Sequence, residues 1–302
     1  MTDEASGEIR HVTDTAFLVA QYRANESTRP DALFSDPLAG MLAGDKGKAL
    51  AAASPVGPIT GWILAVRTVV IDALINGALE LGVDTIVNLG AGLDARPYRL
   101  ALPPQLTWIE VDFPEMIDYK VSLLAGETPR CRLEHIAVDL GDDEARRQFL
   151  AELESRSEKI LVLTEGVIPY LSNDQVSALA ADLHSMKNVR YWIADYFSEV
   201  VHRWREQRGV SDRMREAPFL FRPGDWFEFF RQRGWRVHTI RYLMIEGKRI
   251  GRPFPVPRRA RSFRMMLMYA LRPKLRQRLA RSMGFAMLEP TQKSADSAIS
   301  FD

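Results

Sequence analysis

Two glycines, Gly90 and Gly92, follow directly on the apolar, β-branched run Thr85–Leu89, within Asn88-Leu89-Gly90-Ala91-Gly92-Leu93-Asp94-Ala95-Arg96. Where a buried strand runs into such a pair, the missing side chains let the backbone turn sharply and approach a ligand closely. That serves the binding of a nucleotide-like cofactor, and with Ala95 last the run satisfies G-x-G-x-x-G/A. The next apolar run, Trp108-Ile109-Glu110-Val111-Asp112, ends in acids 18 and 20 positions beyond Gly92. A carboxylate there can accept hydrogen bonds from both hydroxyls of a ribose. Asp112 is the expected acceptor; Glu110 is the fallback, and otherwise an inward-tilted strand residue.

Two further acids end later apolar runs, Asp139 after residues 135–138 and Glu165 after Ile160–Thr164. An adenine amino group suits Asp139, and a cationic aminosulfonium group suits Glu165. Nicotinamide dinucleotides and S-adenosylmethionine share the glycine turn and the ribose acid. Some eighty helix-compatible residues precede the turn and could close over a ligand, which favours S-adenosylmethionine. The alternatives are an NAD(P)-dependent oxidoreductase and a catalytically inert Rossmann-like binding module. Other chemistries lack their residues. None of His11, His135, His184, His202 and His238 stands three to five positions from another, so no metal-ligand pair is expected. There is no G-x-S-x-G elbow. Asp195, Glu199, His202 and His11 could act as bases, and none is assigned a catalytic role.

The elements that must position these residues are legible as alternation. Apolar runs at 85–89, 107–111, 133–138, 160–164 and 191–196 are separated by helix-compatible stretches at 114–124, 142–154 and 173–186. Buried strands joined by crossover helices make a doubly wound, mostly parallel sheet. Upstream lie three expected helices: 15–26, one starting at Pro37 with Ser35 or Asp36 as cap, and an apolar one after Pro58. Downstream come a helical stretch from Ser198, a helix at about 223–233, and strands at 237–243 and 284–288. Residues 258–281 carry nine Lys or Arg and no acid. They read as a solvated basic surface or as a docking face for an acidic partner.

The motifs together resemble the leucine carboxyl methyltransferase family, and within it the bacterial S-adenosylmethionine-dependent O-methyltransferases of polyketide-type metabolism. The resemblance rests on residues 87–100, on Glu110-Val111-Asp112-Phe113-Pro114 with Lys120, and on Thr164-Glu165-Gly166-Val167-Ile168-Pro169-Tyr170-Leu171. Arg23-Ala24-Asn25-Glu26, residues 31–39 and Gly234-Trp235-Arg236-Val237 extend it over about residues 11–245. It implies a Rossmann-like class I methyltransferase fold under a helical N-terminal cap. It also implies cofactor contacts at Arg67, Gly90, Asp112, Asp139, Leu140 and Glu165, to which the turn itself adds Gly92. Arg67 would pair with the cofactor carboxylate, and Arg23 would assist. Tyr170, Tyr196, Phe197 and Trp204, with Phe219 and Phe221, are the expected acceptor walls. Ala95 replaces the family's usual Thr, and residues 258–281 match no family pattern.

Composition sets the frame. With 302 residues, 46% hydrophobic and 26% charged, the chain is long enough to bury a large core. One methyltransferase domain over 1–302 is expected: a cap at 11–81, a cofactor core and substrate segment at 84–245, and a basic insertion with the final strand at 258–290. Forty Lys and Arg against thirty-nine Asp and Glu give a net charge of +1, so no whole-chain attraction to nucleic acid is expected. The partner is then a small-molecule substrate, free or carried by another protein, and nothing in the sequence fixes the oligomeric state. Cys131, alone, can form no intramolecular disulfide. The acidic start lacks the pattern of an export signal, and apolar runs fall short of the roughly 20 residues that span a bilayer, so a cytoplasmic protein is expected.

Overall fold

The computed structural model describes residues 9, 11–54, 57–207, 217–255 and 272–291. Seven strands form one sheet: β1 Thr85–Leu89, β2 Thr107–Asp112, β3 Arg132–Ala137, β4 Ile160–Thr164, β5 Val189–Phe197, β6 Trp235–Tyr242 and β7 Met283–Pro290. Their order is β3-β2-β1-β4-β5-β7-β6, with β7 antiparallel to both neighbours and the other pairings parallel. Strand order reverses between β1 and β4, which opens a crevice at their carboxyl ends. Every residue of β1 and β4 is buried, because helices cover both faces of the sheet.

The helices are α1 Asp14–Ser27, α2 Ala39–Ala52, α3 Gly57–Glu80, α4 Arg96–Arg99, α5 Pro114–Leu124, α6 Asp143–Glu154, α7 Asn173–Ser185, α8 Glu199–Gln207, α9 Trp226–Arg231, α10 Leu243–Arg249 and α11 Pro273–Ala280. On one face, Val66, Ile71 and Leu74 of α3 pack on Ile86, Leu161 and Ile193. On the other, Phe149 and Leu153 of α6, Val176 and Leu183 of α7, and Phe230 of α9 pack on Val87, Val162 and Trp192. The crossovers begin where the chain supplies caps. Asp142 accepts from Glu144 N–H and Ala145 N–H, and Ser172 with Gln175 forms a capping box.

Four expectations change. The segment 11–81 is not one cap: α1 and α2 pack on the glycine turn and α5 through Ala20, Leu42, Ala43, Leu93 and Met116, whereas α3 is a layer of the sheet. Nor do the apolar runs all stop short, because α3 is long and apolar enough, by length and composition, to cross a membrane. Arg67 and Asp72 divide its sequence into short runs, yet half of its most apolar window is buried in the fold. The second helix starts at Ala39 rather than Pro37; Asp36 Oδ1 accepts from Ala39 N–H at 3.1 Å while Oδ2 takes Arg23 Nε at 2.8 Å. Finally, α10 begins at Leu243, where strand 237–243 was expected to end, and β7 lies between β5 and β6. Of the basic segment, residues 258–271 lie outside the described residues. Residues 272–281 include α11, none of whose side chains is buried.

Candidate functional site

Gly90 ends β1 with φ +68°, and Gly92 follows with φ +49°. A Cβ on Gly90 would collide with Val167 Cγ2, and one on Gly92 would stand 3.1 Å from Ala16 Cβ of α1. The turn is thus bare backbone pressed between the cap and the strand β4 end. Above it lies a cavity of about 370 Å³. Its walls come from α1 (Thr15, Ala16, Val19, Arg23), α3 (Arg67) and the carboxyl ends of four strands.

Of the expected contacts, Arg67, Gly90, Gly92, Asp112, Asp139, Leu140, Glu165 and Tyr170 all line this cavity, as does Arg23. Asp112 Oδ2 accepts from Gly92 N–H at 2.6 Å and Oδ1 from Phe113 N–H at 2.8 Å, so it fixes the turn as well as facing the cavity. Burial raises its pKa, with the Gly92 and Phe113 amides opposing. Asp139 is exposed at the rim and accepts from Gly141 N–H at 2.8 Å. Glu110, two residues earlier on β2, does not line the cavity: it is fully buried with Lys120 Nζ at 2.6 Å.

Charge here is organised around Arg96, which is 2% exposed. Its Nη1 donates to Asp94 Oδ2 at 2.7 Å and Glu165 Oε2 at 2.6 Å, and its Nε to Asp72 Oδ1 at 2.6 Å. One guanidinium thereby ties α3, the glycine turn and the β4 end together. Arg67 Nε adds an ion pair to Glu165 Oε1 at 2.7 Å. Burial works to raise the pKa of Glu165, but Arg96 and Arg67 overcome it and hold the carboxyl below its usual range. Asp94 is likewise depressed against burial, by Arg96 and Arg23. Arg23 pairs with Asp36 and donates to Leu93 O, locking α1 onto the turn. Asp94, Arg96 and Asp72 escaped assignment from sequence. Asp94 and Arg96 stand in the glycine motif itself, but Asp72 carries no signal beyond being an acid on an apolar helix.

The expected acceptor walls are corrected. Of the six aromatics only Tyr170 reaches the cavity; the hydroxyl lies against Thr15, and burial raises its pKa. Phe219 stacks edge-on behind it at 5.2 Å and Phe197 behind that at 5.4 Å, so they brace the wall. Tyr196 packs against Trp226, Phe227 and Tyr242, and Phe221 against Phe229 and Phe230. Trp204 is half-buried on α8, away from the cavity. The other apolar wall residues are mostly aliphatic, including Val12, Val19, Val167 and Leu171, with Phe113 and Met116 beside them. Large rings were expected because they maximise contact area, but burial on the sheet claims them first.

None of the candidate bases lines the cavity. His202 is buried on α8, and burial with nearby Arg222 lowers its pKa. Glu199 is ion-paired with Arg203 at 3.0 Å, and His11 is exposed beside the Phe113 ring. Asp195, at the end of β5, lies one layer behind the wall: Oδ2 accepts from Gly166 N–H at 2.9 Å, and burial pushes its pKa up to about 7 against the pull of Arg67. Among the described residues no three His, Cys, Asp or Glu side chains are grouped to hold a metal ion.

Comparison with known proteins places this arrangement. The leucine carboxyl methyltransferase family model matches residues 16–184. A Mycobacterium avium (strain 104) protein, named among the S-adenosyl-L-methionine-dependent methyltransferases, is 31% identical over 279 residues, covering 80% of this chain and 84% of its own. Two crystal structures share the fold. One, from Thermobifida fusca and titled as a methyltransferase, superposes with a TM-score of 0.54 at 16% identity and covers 96% of both chains. The other, a DUF574-family protein from Streptomyces avermitilis, has a TM-score of 0.53 at 14% identity and covers 90% of this chain and 96% of that one.

Proposed function

The chain belongs to the leucine carboxyl methyltransferase family, and from that premise we propose that it is an S-adenosylmethionine-dependent O-methyltransferase acting on a carboxylate or phenolic hydroxyl of a small molecule, in polyketide-like secondary metabolism. The observation that carries the cofactor part is the charge of the cavity. Four carboxylates line it, Asp94, Asp112, Asp139 and Glu165, against two guanidiniums, Arg23 and Arg67. A cavity with net negative charge receives a cationic ligand and repels the diphosphate of a dinucleotide.

The residues present fit the cofactor. Gly90 and Gly92 border the cavity as bare backbone, since a Cβ on either would press on Val167 or Ala16. In this reading Asp112 holds the ribose hydroxyls, Asp139 and Leu140 the adenine, Glu165 the ammonium group and Arg67 the carboxylate. Once bound, the cofactor supplies a methyl group on a cationic sulfur. The chain's own part is to hold that group in line with an acceptor oxygen and keep water out. Val12, Val19, Tyr170, Leu171, Ala217 and Pro218 provide an apolar surface on which an acceptor can lie. A carboxylate acceptor arrives ionised, whereas a phenol with pKa about 10 gains from losing its proton. An acceptor carried on an acidic protein would meet the basic face of α11, whose end leads into β7 at the carboxyl end of β5.

The test uses labelled cofactor and a mixed panel of aromatic acids and phenols. Label recovered in an organic-soluble product supports the reading. Mild alkali then assigns the acceptor, since it releases label from a methyl ester and leaves an aryl methyl ether intact. No transfer to any oxygen acceptor, with transfer to an amine or thiol instead, would overturn it.

A further inference from the structure

Asp195, near the carboxyl end of β5, is a buried acid that the cofactor reading leaves without a part. It is 2% exposed, does not line the cavity, and yet touches what does. Its carboxylate holds Gly166 N–H at 2.9 Å, in the turn that carries Glu165. From α3 it faces Arg67, from the β4 end Glu165, and from the short helix Ile168–Tyr170 the Tyr170 hydroxyl. On β7 its partner is Phe285, and from α9 the Trp226 indole donates to its backbone oxygen, neither of them ionisable. On α8, Glu199 pairs with Arg203 and His202 lies beside Arg222, while Arg205 stands over the Phe219 ring at 3.7 Å and opposes the rise of the Tyr170 pKa.

We propose that Asp195 balances the charge of the occupied cavity: its buried carboxylate is ionised while a sulfonium is bound beyond Arg67 and Glu165, and takes up a proton when the neutral thioether product replaces it. This rests on the cofactor reading above. The physical ground is the pairing already present. Arg67 is committed to Glu165, and Arg96 is shared by Glu165, Asp94 and Asp72, so the carboxylates at this end of the cavity already carry cations, and Asp195 is the further buried carboxyl packed against that cluster. Burial pushes that carboxyl up to about 7, against the pull of Arg67 and the Gly166 amide. S-adenosylmethionine carries a net charge of +1 and S-adenosylhomocysteine none. On transfer, the carbon–sulfur bond breaks with its electron pair left on sulfur and the oxygen–carbon bond forms. Asp195 then recovers its proton from solvent. The linkage makes Asp195 a positioning residue that favours substrate over spent cofactor.

The sign follows. A cation favours the ionised form, so binding lowers the Asp195 pKa, releases a proton and strengthens with rising pH. Calorimetry at pH 7 in two buffers of different ionisation heat, on wild type and Asp195→Asn, reads this directly. Asn keeps an acceptor for Gly166 N–H and cannot titrate. Wild type should release about half a proton per S-adenosylmethionine and almost none per S-adenosylhomocysteine, and the variant none for either. Its preference for S-adenosylmethionine should rise up to about tenfold per unit below pH 7 and level off above it, whereas that of the variant stays flat. Equal release for both ligands in wild type overturns the inference even if the variant does not fold. So does undiminished release in the variant. Absence of binding by both ligands to wild type would instead sink the cofactor reading itself.

Discussion

Asp112 and Arg96 show two ways a single side chain can make the site. In the proposed cofactor reading Asp112 does so at the ligand: replaced by Ala, two ribose hydroxyls lose a charged acceptor in a buried crevice, and S-adenosylmethionine affinity should fall by about 1–3 kcal/mol in calorimetry. The same change frees Gly92 N–H and Phe113 N–H, so Asp112→Asn, which keeps an acceptor, should lose less. Unchanged affinity in a folded Asp112→Ala protein would remove Asp112 from the site. Arg96 works underneath, and Arg96→Gln leaves buried Asp94 and the half-buried Asp72 and Glu165 without their common cation. Urea unfolding at pH 7 should show a loss of about 3–5 kcal/mol. Because Asp94 and Glu165 are depressed in the native protein, their stabilisation is present above the ordinary carboxylate range and fades as pH falls through their native values. The deficit of the variant should therefore shrink toward acid pH. The place of Asp112 in the cavity wall was legible because it ends a strand at fixed spacing from the turn. Asp72 was hidden because its role depends on how α3 lies against the turn.

Among the elements, the strand–turn–helix unit β1–α4 decides whether a cavity exists at all. Gly90→Ala should suffer twice, from φ +68° and from the clash with Val167 Cγ2. A stability loss of about 1–3 kcal/mol and weakened cofactor binding are expected. Gly90→Ala with Val167→Ala should recover part of the binding and leave the backbone strain. Full recovery would mean that φ is immaterial there. The sheet was largely legible, since β1 and β4 are continuous apolar runs and the crossover helices carry caps at Asp142 and Ser172. The layer α3 was legible as a helix but not as part of the sheet packing, because an apolar face says only that something covers it. The placing of β7 between β5 and β6 is a long-range choice for which no local residue pattern speaks. Likewise the aromatic residues near the β5 end announced a pocket and turned out to brace it, with mostly aliphatic residues at the surface.

Across the whole molecule, a nearly neutral chain of net charge +1 encloses a cavity whose lining is net negative. Global charge therefore says little about the ligand, and local placement says a great deal. The acids that converge there come from β2, β3 and β4 and from the glycine turn, separated in sequence and joined only by the order of the sheet. Asp94, Asp112, Asp139 and Glu165 together select a cation, and that selection is the central claim. It is tested by equilibrium dialysis of the purified chain against labelled S-adenosylmethionine, with S-adenosylhomocysteine and NAD(P)H as competitors. One S-adenosylmethionine site per chain is expected, displaced by S-adenosylhomocysteine and untouched by NAD(P)H. Saturable NAD(P)H binding that displaces S-adenosylmethionine, or no S-adenosylmethionine binding by the folded protein, would contradict it.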